Sequence, residues 1–327
     1  MIRFDIRTTV SRWIAVAGIF GLCASVSAQE FPTKPIRFIV PYAAGGSTDV
    51  TARAVAQRMS AILGQPIVIE NKPGASTTIG AEAVANAPKD GYTVLATAAT
   101  TFASNPHLIK NMRYKLADFA PVALMASHPY IVLTSAKVPA KSIPELVAWL
   151  KSRSGEVNYG TPGVGTTPHI VGEQFGGSLG VKLVQVNYNG EAPITKDLLG
   201  GIVDLQFAGP GTAIAQRVSD KVRIAGVMGT QRLPALPGVP TFAEAGFPDL
   251  VAMSWFGLFV PAGTPPDIVT KLNEAANKAI ASEDLRKKMV DDGLVVDPMS
   301  PEAFAAYVRS DAERTGKTIG ALGIKLD

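Results

Sequence analysis

The sequence predicts an α/β protein of two lobes, in which each lobe is a mostly parallel sheet flanked by helices. Short apolar segments of strand length alternate with segments whose apolar residues recur every three or four positions. This alternation stops near residue 125 and starts again near residue 130. After a last apolar segment at 254–260 only helical patterns follow, and these helices need an existing sheet to cover.

Strands and helices alternate in the first part of the chain. Strands are predicted at 36–40, 67–70 and 93–97, and helices at 52–63 and 78–87. Gly64 and Pro66 end the first of these helices. Strands that are separated by helices in this way pair in parallel, with the helices on the faces of the sheet.

The second series begins with a strongly apolar strand at 129–134. Further strands are predicted at 157–160, 182–186, 203–207, 222–228 and 254–260, and helices at 144–152, 168–179, 191–199 and 211–219. We therefore place the first lobe at 29–127 and 253–327, and the second lobe at 128–252. Two crossovers then join the lobes, and such a hinge has a defined closing path.

The first 28 residues have the three parts of a secretory signal peptide. Arg3, Arg7 and Arg12 precede an apolar run at 13–24, and Ala28 ends a short cleavage motif. This apolar run is too short to span a bilayer comfortably, although a signal anchor is the alternative. We predict cleavage after Ala28 and a periplasmic mature protein.

Composition excludes several classes of function. Cys23 is the only cysteine and follows the bulky Leu22, so we expect neither lipidation, nor a disulfide, nor a thiol catalyst. The 31 Lys and Arg residues are interspersed with 27 Asp and Glu residues. A nucleic-acid-binding protein needs a concentrated basic face, which this distribution does not provide.

Four loops at the carboxyl ends of predicted strands are small, hydroxylic and rich in glycine. They lie at 43–48, 74–77, 97–101 and 161–167. Open α/β sheets bind ligands beyond these strand ends, and glycine allows close approach of the backbone. The first and fourth loops lead into helices, whose N-terminal amides favour an anion without Lys or Arg. Each loop alone could be only a turn or a cap, but together they predict a cleft for an acidic ligand.

No catalytic motif is present in the sequence. The first loop lacks the spaced glycines of a dinucleotide site and the lysine of a P-loop, and no nucleophile elbow occurs. His107, His128 and His169 are not at metal-ligand spacing. We expect no enzyme, no cofactor and no metal. Glu191 has two interpretations, as an ordinary first-turn acid or as a cleft acceptor for an amine, amide or ring N–H.

Nine segments, in order along nearly the whole mature chain, form a recognisable set: 31–49, 64–75, 90–93, 105–106, 118–122, 139–142, 234–241, 262–265 and 272–273. Together they resemble the Bug family, the extracytoplasmic receptors of tripartite tricarboxylate transporters. The resemblance implies a periplasmic binding protein of the Venus flytrap kind, with a type II-like arrangement. Such a protein captures a mono- or dicarboxylate between its lobes. The expected partners are the membrane subunits of such a transporter. The alternative is a ligand sensor that signals to a membrane regulator.

Position by position, the resemblance implies ligand contacts from both lobes. They are Ala43, Ala44, Gly45, Gly46, Ser47, Thr48, Ser76, Thr77, Thr97, Thr100, Thr101, Gly165, Thr166, His169, Asn189 and Ala208. The family often has Lys or Arg at the place of Asn189 and Asp near Ala208. These differences, together with Glu191, favour a monocarboxylate, with aromatic and amidated ones among the candidates, over a simple dicarboxylate. A monomer is expected.

Overall fold

Ten strands of the described part of the chain form two five-stranded sheets. The structure is a computed structural model and describes residues 31–188 and 190–324. The predicted signal peptide and Asn189 therefore lie outside the described residues. Both sheets belong to one unit of the chain, which starts at Lys34.

The first sheet has the strand order β2-β1-β3-β10-β4, and the second has the order β7-β6-β8-β5-β9. The strands of the first sheet are β1 (Ile36–Val40), β2 (Ile67–Asn71), β3 (Thr93–Ala98), β4 (Phe119–Pro129) and β10 (Met253–Pro261). Those of the second are β5 (Ile131–Ser135), β6 (Val157–Thr161), β7 (Leu183–Asn187), β8 (Leu205–Ala208) and β9 (Val222–Val227).

Helices flank both sheets. In the described residues they are α1 (Ser47–Leu63), α2 (Thr78–Ala85), α3 (Asn105–Leu108), α4 (Ile143–Ser152), α5 (Thr167–Leu179), α6 (Glu191–Gly200), α7 (Pro210–Ala215), α8 (Pro266–Ala281), α9 (Glu283–Asp291) and α10 (Pro301–Leu322). Short turns of other helical types lie at Ala75–Thr77, Thr100–Ser104 and Leu116–Asp118. The two-lobed α/β fold predicted from the sequence is confirmed.

Both sheets are mixed, with four strands in one direction and one strand in the other, which is consistent with the mostly parallel sheets predicted from the sequence. In the first sheet β1 pairs in parallel with β2 and β3, but β10 runs antiparallel to β3 and β4. In the second, β6 pairs in parallel with β7 and β8, but β5 runs antiparallel to β8 and β9. The antiparallel strands are those near the passages between the sheets. They enter a sheet at the end where its parallel strands finish, so they must run in the opposite direction.

Strand β4 is absent from the sequence-based prediction. It is largely buried and shows no alternation of polar and apolar residues, which is the usual sign of a half-exposed strand. The apolar strand predicted at 129–134 begins at Ile131 as β5, so a single residue, Tyr130, separates the last strand segment of one sheet from the first of the other. The first passage between the sheets is therefore very short.

The C-terminal helices cover the first sheet. Both α8 and α10 pack against β4. Trp255 of β10 and Phe304 of α10 share a core cluster with Ile39 of β1. The indole Nε1 of Trp255 also donates a 2.8 Å hydrogen bond to Oδ2 of Asp311 in α10. We propose on this basis the lobe boundaries given above, between 127 and 128 and between 252 and 253.

No helix among the described residues combines the length and the apolar character that a membrane span requires.

Candidate functional site

A cavity of about 510 Å³ lies between the two sheets, at the carboxyl ends of β1, β3, β6 and β8. Its walls are formed by Pro41, Tyr42, Ala43, Ser47, Pro73, Gly74, Ser76, Thr77, Ala98, Thr100, His128, Tyr130, Gly160, Pro162, Thr166, Thr167, Pro168, Glu191, Ile194, Gln206, Phe207, Gly209, Ser254 and Phe256. An extension of about 220 Å³ shares Ser47 and Glu191 with it and reaches Thr212 and Asp292. The cavity thus lies where open α/β sheets bind ligands.

The N-terminus of α1 faces this cavity through Ser47, its first residue. Its N-cap is Gly46, and no side chain caps the helix. The side chain of Asp49, in the first turn, does not cap the helix and bonds to neighbouring groups instead. Its carboxylate accepts hydrogen bonds from Gly45 N–H and Arg53 Nε, both at 2.9 Å, and from Asn71 Nδ2 at 2.8 Å. The first-turn amides of α1 are therefore left without a side-chain acceptor, which favours an anion.

Asp49 is a fixed charge rather than a ligand-binding group. Burial alone would raise the pKa of this carboxyl group, but the hydrogen bonds from Arg53, Gly45 and Asn71 outweigh burial and lower it to about 2. The side chain is only 2% exposed. These bonds give Asp49 a structural role at the start of α1.

The N-terminus of α5 faces the cavity from the second lobe. Thr166 is its N-cap, Thr167 and Pro168 begin the helix, and all three line the cavity. Thr166 does not cap the helix, since its hydroxyl donates to Gly163 O at 2.7 Å. Two uncapped helix N-termini, from opposite lobes, therefore meet at one cavity.

His169 stabilises the loop before α5 instead of lining the cavity. Its Nδ1 accepts the Gly165 N–H at 3.0 Å, so it is the acceptor in the neutral ring. Burial lowers the pKa of His169, although the nearby Glu173 carboxylate acts in the opposite direction. We conclude that His169 fixes the glycine loop.

Three consecutive residues without a glycine among them have left-handed backbone angles beside the cavity. The φ values are 45° for Ala75, 53° for Ser76 and 77° for Thr77. Such a conformation is costly for residues with a Cβ atom and is found mostly where a site requires it. The side chain of Asn105 holds it, because its Nδ2 donates to Ser76 O at 2.5 Å and lies 3.1 Å from Thr77 Oγ1.

A cluster of threonine hydroxyls lies behind this segment. Thr101 Oγ1 is 2.9 Å from Thr77 Oγ1 and 2.6 Å from Thr97 Oγ1. Thr97 and Thr101 are fully buried, so they support the wall from behind. Thr100 faces the cavity, and its Oγ1 lies 3.1 Å from Oγ1 of Thr167 in the other lobe.

Aromatic rings form the wall near the passages between the sheets. The His128 ring lies 5.6 Å from the Tyr130 ring and 5.3 Å from the Phe256 ring, between centroids. Burial lowers the pKa of His128 to about 4, so this ring is neutral at physiological pH. Burial, and then the charge of Glu191, raise the pKa of Tyr130. This wall is apolar and uncharged.

Glu191 and Gln206 are further polar residues of the second-lobe wall, beside Thr166 and Thr167. Desolvation in the cleft raises the pKa of the Glu191 carboxyl group, whereas the neighbouring Thr212 side chain and Gly209 N–H act in the opposite direction. Gln206 is a nearly fully buried residue of β8. Its Oε1 is 3.2 Å from Thr195 Oγ1, and its Nε2 has no hydrogen-bond partner among the described residues.

The cavity brings together some of the residues predicted from the sequence. Those that line it or its extension are Ala43, Gly45, Ser47, Ser76, Thr77, Thr100 and Thr166. Those that do not are Ala44, Gly46, Thr48, Thr97, Thr101, Gly165, His169 and Ala208. Ala208 is buried within the second sheet, where it pairs with Ile131, and the next residue, Gly209, takes its place at the wall. Contact of any of these residues with a ligand stays a prediction.

Residues that sequence reasoning did not select include Tyr42, His128, Tyr130, Gln206 and Phe256, which all line the cavity. Most of them are strand residues or lie in the passage between the sheets, so a search confined to glycine-rich loops could not find them. A polar Gln within the otherwise apolar segment Leu205–Ala208 was the one local signal. Within the described residues, no three His, Cys, Asp or Glu side chains form a group suited to a metal ion.

Comparison with known proteins identifies relatives over most of the chain. A family model described as "Tripartite tricarboxylate transporter family receptor" matches residues 51–324. Protein BugT of Bordetella pertussis is 33% identical over 323 residues, which cover 97% of this chain and 99% of BugT. A solved structure of a periplasmic transporter is 39% identical, with a TM-score of 0.81, and covers 91% of this chain and 100% of its own. An R. palustris protein with adipate is 33% identical, with a TM-score of 0.82 and the same coverage of 91% and 100%.

Proposed function

The chain belongs to the receptor family of the tripartite tricarboxylate transporters, and from this premise we propose that it is a periplasmic solute-binding protein for a small carboxylate. Members of this family are receptors and not enzymes. The ligand is held in the cavity between the two sheets, and closure of the lobes over it retains it there.

The meeting of two uncapped helix N-termini is the observation that carries this proposal. Ser47 of α1 and Thr167 of α5 bring free first-turn amides to the same cavity. Among the described residues that line the cavity there is neither Lys nor Arg. An anion is therefore bound by amides, hydroxyls and bridging waters, and a carboxylate has the size and charge for such a site.

The ligand of a relative supports the same class. The R. palustris protein, 33% identical to this chain, is seen with adipate, a carboxylate. The volume of about 510 Å³ accommodates a molecule of this size together with water. The predicted signal peptide and the family support a periplasmic location. We propose the membrane subunits of a tripartite tricarboxylate-type transporter as the partner.

Binding is tested with the mature chain from residue 29, unfolded and refolded to remove any carried ligand. Its melting temperature is measured against panels of carboxylates, amino acids, sugars and neutral amides, and positive compounds are titrated by calorimetry. A ligand that binds only the folded state raises the melting temperature in a concentration-dependent way. Shifts with carboxylates support the proposal, and shifts with sugars or neutral compounds alone would overturn it.

A pair of glycine variants shows whether the cavity is the binding site. A Cβ atom added at Gly209 or at Gly238 meets no atom within 4 Å, so both positions accept a side chain without strain. Gly209 lines the cavity, whereas Gly238 does not. We expect Gly209→Leu to abolish carboxylate binding and Gly238→Leu to retain it, with both variants folded. Equal binding by the two variants would place the site elsewhere.

Delivery to a transporter is tested in cells. Deleting the gene should abolish uptake of the labelled ligand, and the wild-type gene, but not the Gly209→Leu variant, should restore it. Undiminished uptake in the deletion strain, with binding intact in the purified protein, would instead support the role of a sensor.

A further inference from the structure

The walls of the cavity and its extension carry few charges. Among the described residues that form them, Glu191 and Asp292 have carboxylates, and none has a cationic side chain. Asp292 is paired, because its Oδ2 is 2.6 Å from Lys288 Nζ. The described part of the chain contains no ion pair to Glu191. Glu191 is therefore the unbalanced charge of the cavity.

The Glu191 carboxylate has hydrogen-bonding capacity for a ligand. The Thr212 side chain and the Gly209 N–H lie near it and favour its charged form. A carboxylate has about four lone pairs for hydrogen bonds, so at least two remain beyond these two neighbours. Burial raises the pKa of Glu191, and a further donor would stabilise its charged form and offset that effect.

Gln206 offers a hydrogen-bond donor, whereas Glu191 offers an acceptor. It is 1% exposed and lines the cavity, and its Nε2 has no partner among the described residues. A buried donor without an acceptor is costly, and such groups in folded proteins usually have a function. Its Oε1 is engaged with Thr195, which leaves the NH₂ group for a ligand.

Thr195 contacts both residues and so places them beside each other. Its Oγ1 is 3.3 Å from the backbone oxygen of Glu191 and 3.2 Å from Gln206 Oε1. Ile194, which also lines the cavity, comes from the same turn of α6. An acceptor and a donor therefore come from neighbouring elements of the second-lobe wall, and both residues line the same cavity as Ser47 at the start of α1.

We infer that Glu191 and Gln206 select, among carboxylates, those that carry a carboxamide at the far end. The ligand N–H donates to the Glu191 carboxylate, and the ligand amide oxygen accepts from Gln206 Nε2. The ligand carboxylate then lies at the N-terminus of α1. This inference rests on the proposed function, which supplies the carboxylate end of the ligand.

A dicarboxylate of the same length fits this wall poorly. Its second carboxylate would face Glu191, and two carboxylates in one enclosed site repel each other until one of them takes up a proton. A carboxamide has nearly the same shape as a carboxylate but no charge. The comparison of a diacid with its half-amide therefore isolates the effect of Glu191.

The test is a calorimetric titration with three matched pairs: succinate and succinamate, glutarate and glutaramate, adipate and adipamate. For the length that fits best, we expect the half-amide to bind the wild-type protein about tenfold more tightly than the diacid. In Glu191→Gln this preference should disappear, because the glutamine keeps the size of the side chain and an acceptor oxygen but removes the charge that repels a second carboxylate. Gln206→Met should weaken half-amide binding and leave diacid binding nearly unchanged.

Glu145→Gln is the matched control, because this carboxylate accepts the Lys141 N–H on the second lobe and does not line the cavity. It should keep the wild-type preference. Diacids that bind wild-type protein as tightly as their half-amides, or an unchanged ratio in Glu191→Gln, would overturn the inference and leave the proposed function intact. If none of the six probes binds while other carboxylates do, the inference also fails. If no carboxylate of any kind binds, the proposed function fails with it.

Discussion

The Oγ1 atoms of Thr100 and Thr167 lie 3.1 Å apart and connect the two lobes at the wall of the cavity. Thr100 follows β3 of the first sheet, and Thr167 is the first residue of α5 beside the second sheet. Each residue also lines the cavity. This hydrogen bond therefore stabilises the arrangement in which the two helix N-termini face a common ligand.

Thr100→Val and Thr167→Val should each open the ligand-free protein. Valine keeps the shape of threonine but lacks the hydroxyl, and a single hydrogen bond is worth about 1 kcal/mol. We expect a larger radius of gyration in small-angle scattering and an affinity lowered about threefold to tenfold. The double variant should have the same radius of gyration and the same affinity as either single variant, because all three lose the same hydrogen bond. The control is Thr134→Val, which removes a buried hydroxyl without a partner among the described residues. It should leave the radius of gyration and the affinity unchanged.

Asn105→Ala should release the strained segment at Ser76 and Thr77. The change removes the donor that holds both residues, and the unpaired acceptors cost about 2 kcal/mol of unfolding free energy. Because both residues line the cavity, ligand affinity should fall at least about tenfold. The control is Asn86→Ala, since the exposed Asn86 side chain donates a local hydrogen bond to Glu82 O, one turn earlier in α2. Unchanged affinity in Asn105→Ala would mean that the segment does not contact the ligand.

Asp49→Asn should lower stability at neutral pH, and this loss should vanish in acid. The folded-state pKa of about 2 lies below the ordinary aspartate pKa of 3.8. The contribution of Asp49, about 2 kcal/mol, is therefore present above pH 3.8 and is lost as the pH falls through about 2. Urea unfolding of both proteins between neutral and acid pH measures the difference. Asp291→Asn, which breaks an exposed pair with Lys287, should change stability by less than about 0.5 kcal/mol. A constant difference between Asp49→Asn and wild type at all pH values would contradict this account.

His128 should make the protein less stable in mild acid. The unfolded chain binds a proton at this ring near pH 6.5, whereas the folded protein binds it only near pH 4. The stabilising contribution is thus complete above pH 6.5 and is lost as the pH falls to about 4, by about 1.4 kcal/mol per pH unit. His128→Gln should show a correspondingly shallower pH dependence of unfolding. Parallel curves for the two proteins would show that the ring is accessible to protons in the folded state.

The sequence could predict the fold where local patterns decide it. Strands such as Ile36–Val40, and helices such as Thr167–Leu179 with Pro168 in the first turn, have strong local signals. The sequence pattern also indicated two lobes and a return of the C-terminal helices. It could not predict β4, because a strand buried on both faces has no alternation. Antiparallel pairing of β10 depends on the direction from which that strand arrives, which no local pattern records.

The candidate site was also predictable only where local composition marks a residue. Ser47 and Thr166 lie at helix starts, which composition identifies. Thr101 has the same composition as its neighbours, but the π-helical turn at Thr100–Ser104 directs its side chain into the core. Gln206 faces the cavity because of the register of β8, which pairs it with Gly160 and Leu133. Registers between distant strands cannot be read from a single sequence.

The position of β10 between β3 and β4 also sets the order in which the two sheets can be completed. The strands of the second sheet come from one continuous stretch, Ile131 to Val227. The first sheet remains split until Met253–Pro261 has been inserted, because β4 pairs only with β10 among the described strands. A chain that folds as it emerges from its N-terminus therefore completes its second sheet while the first still exposes two unpaired strand edges. Such edges favour pairing with other chains until Met253–Pro261 is in place.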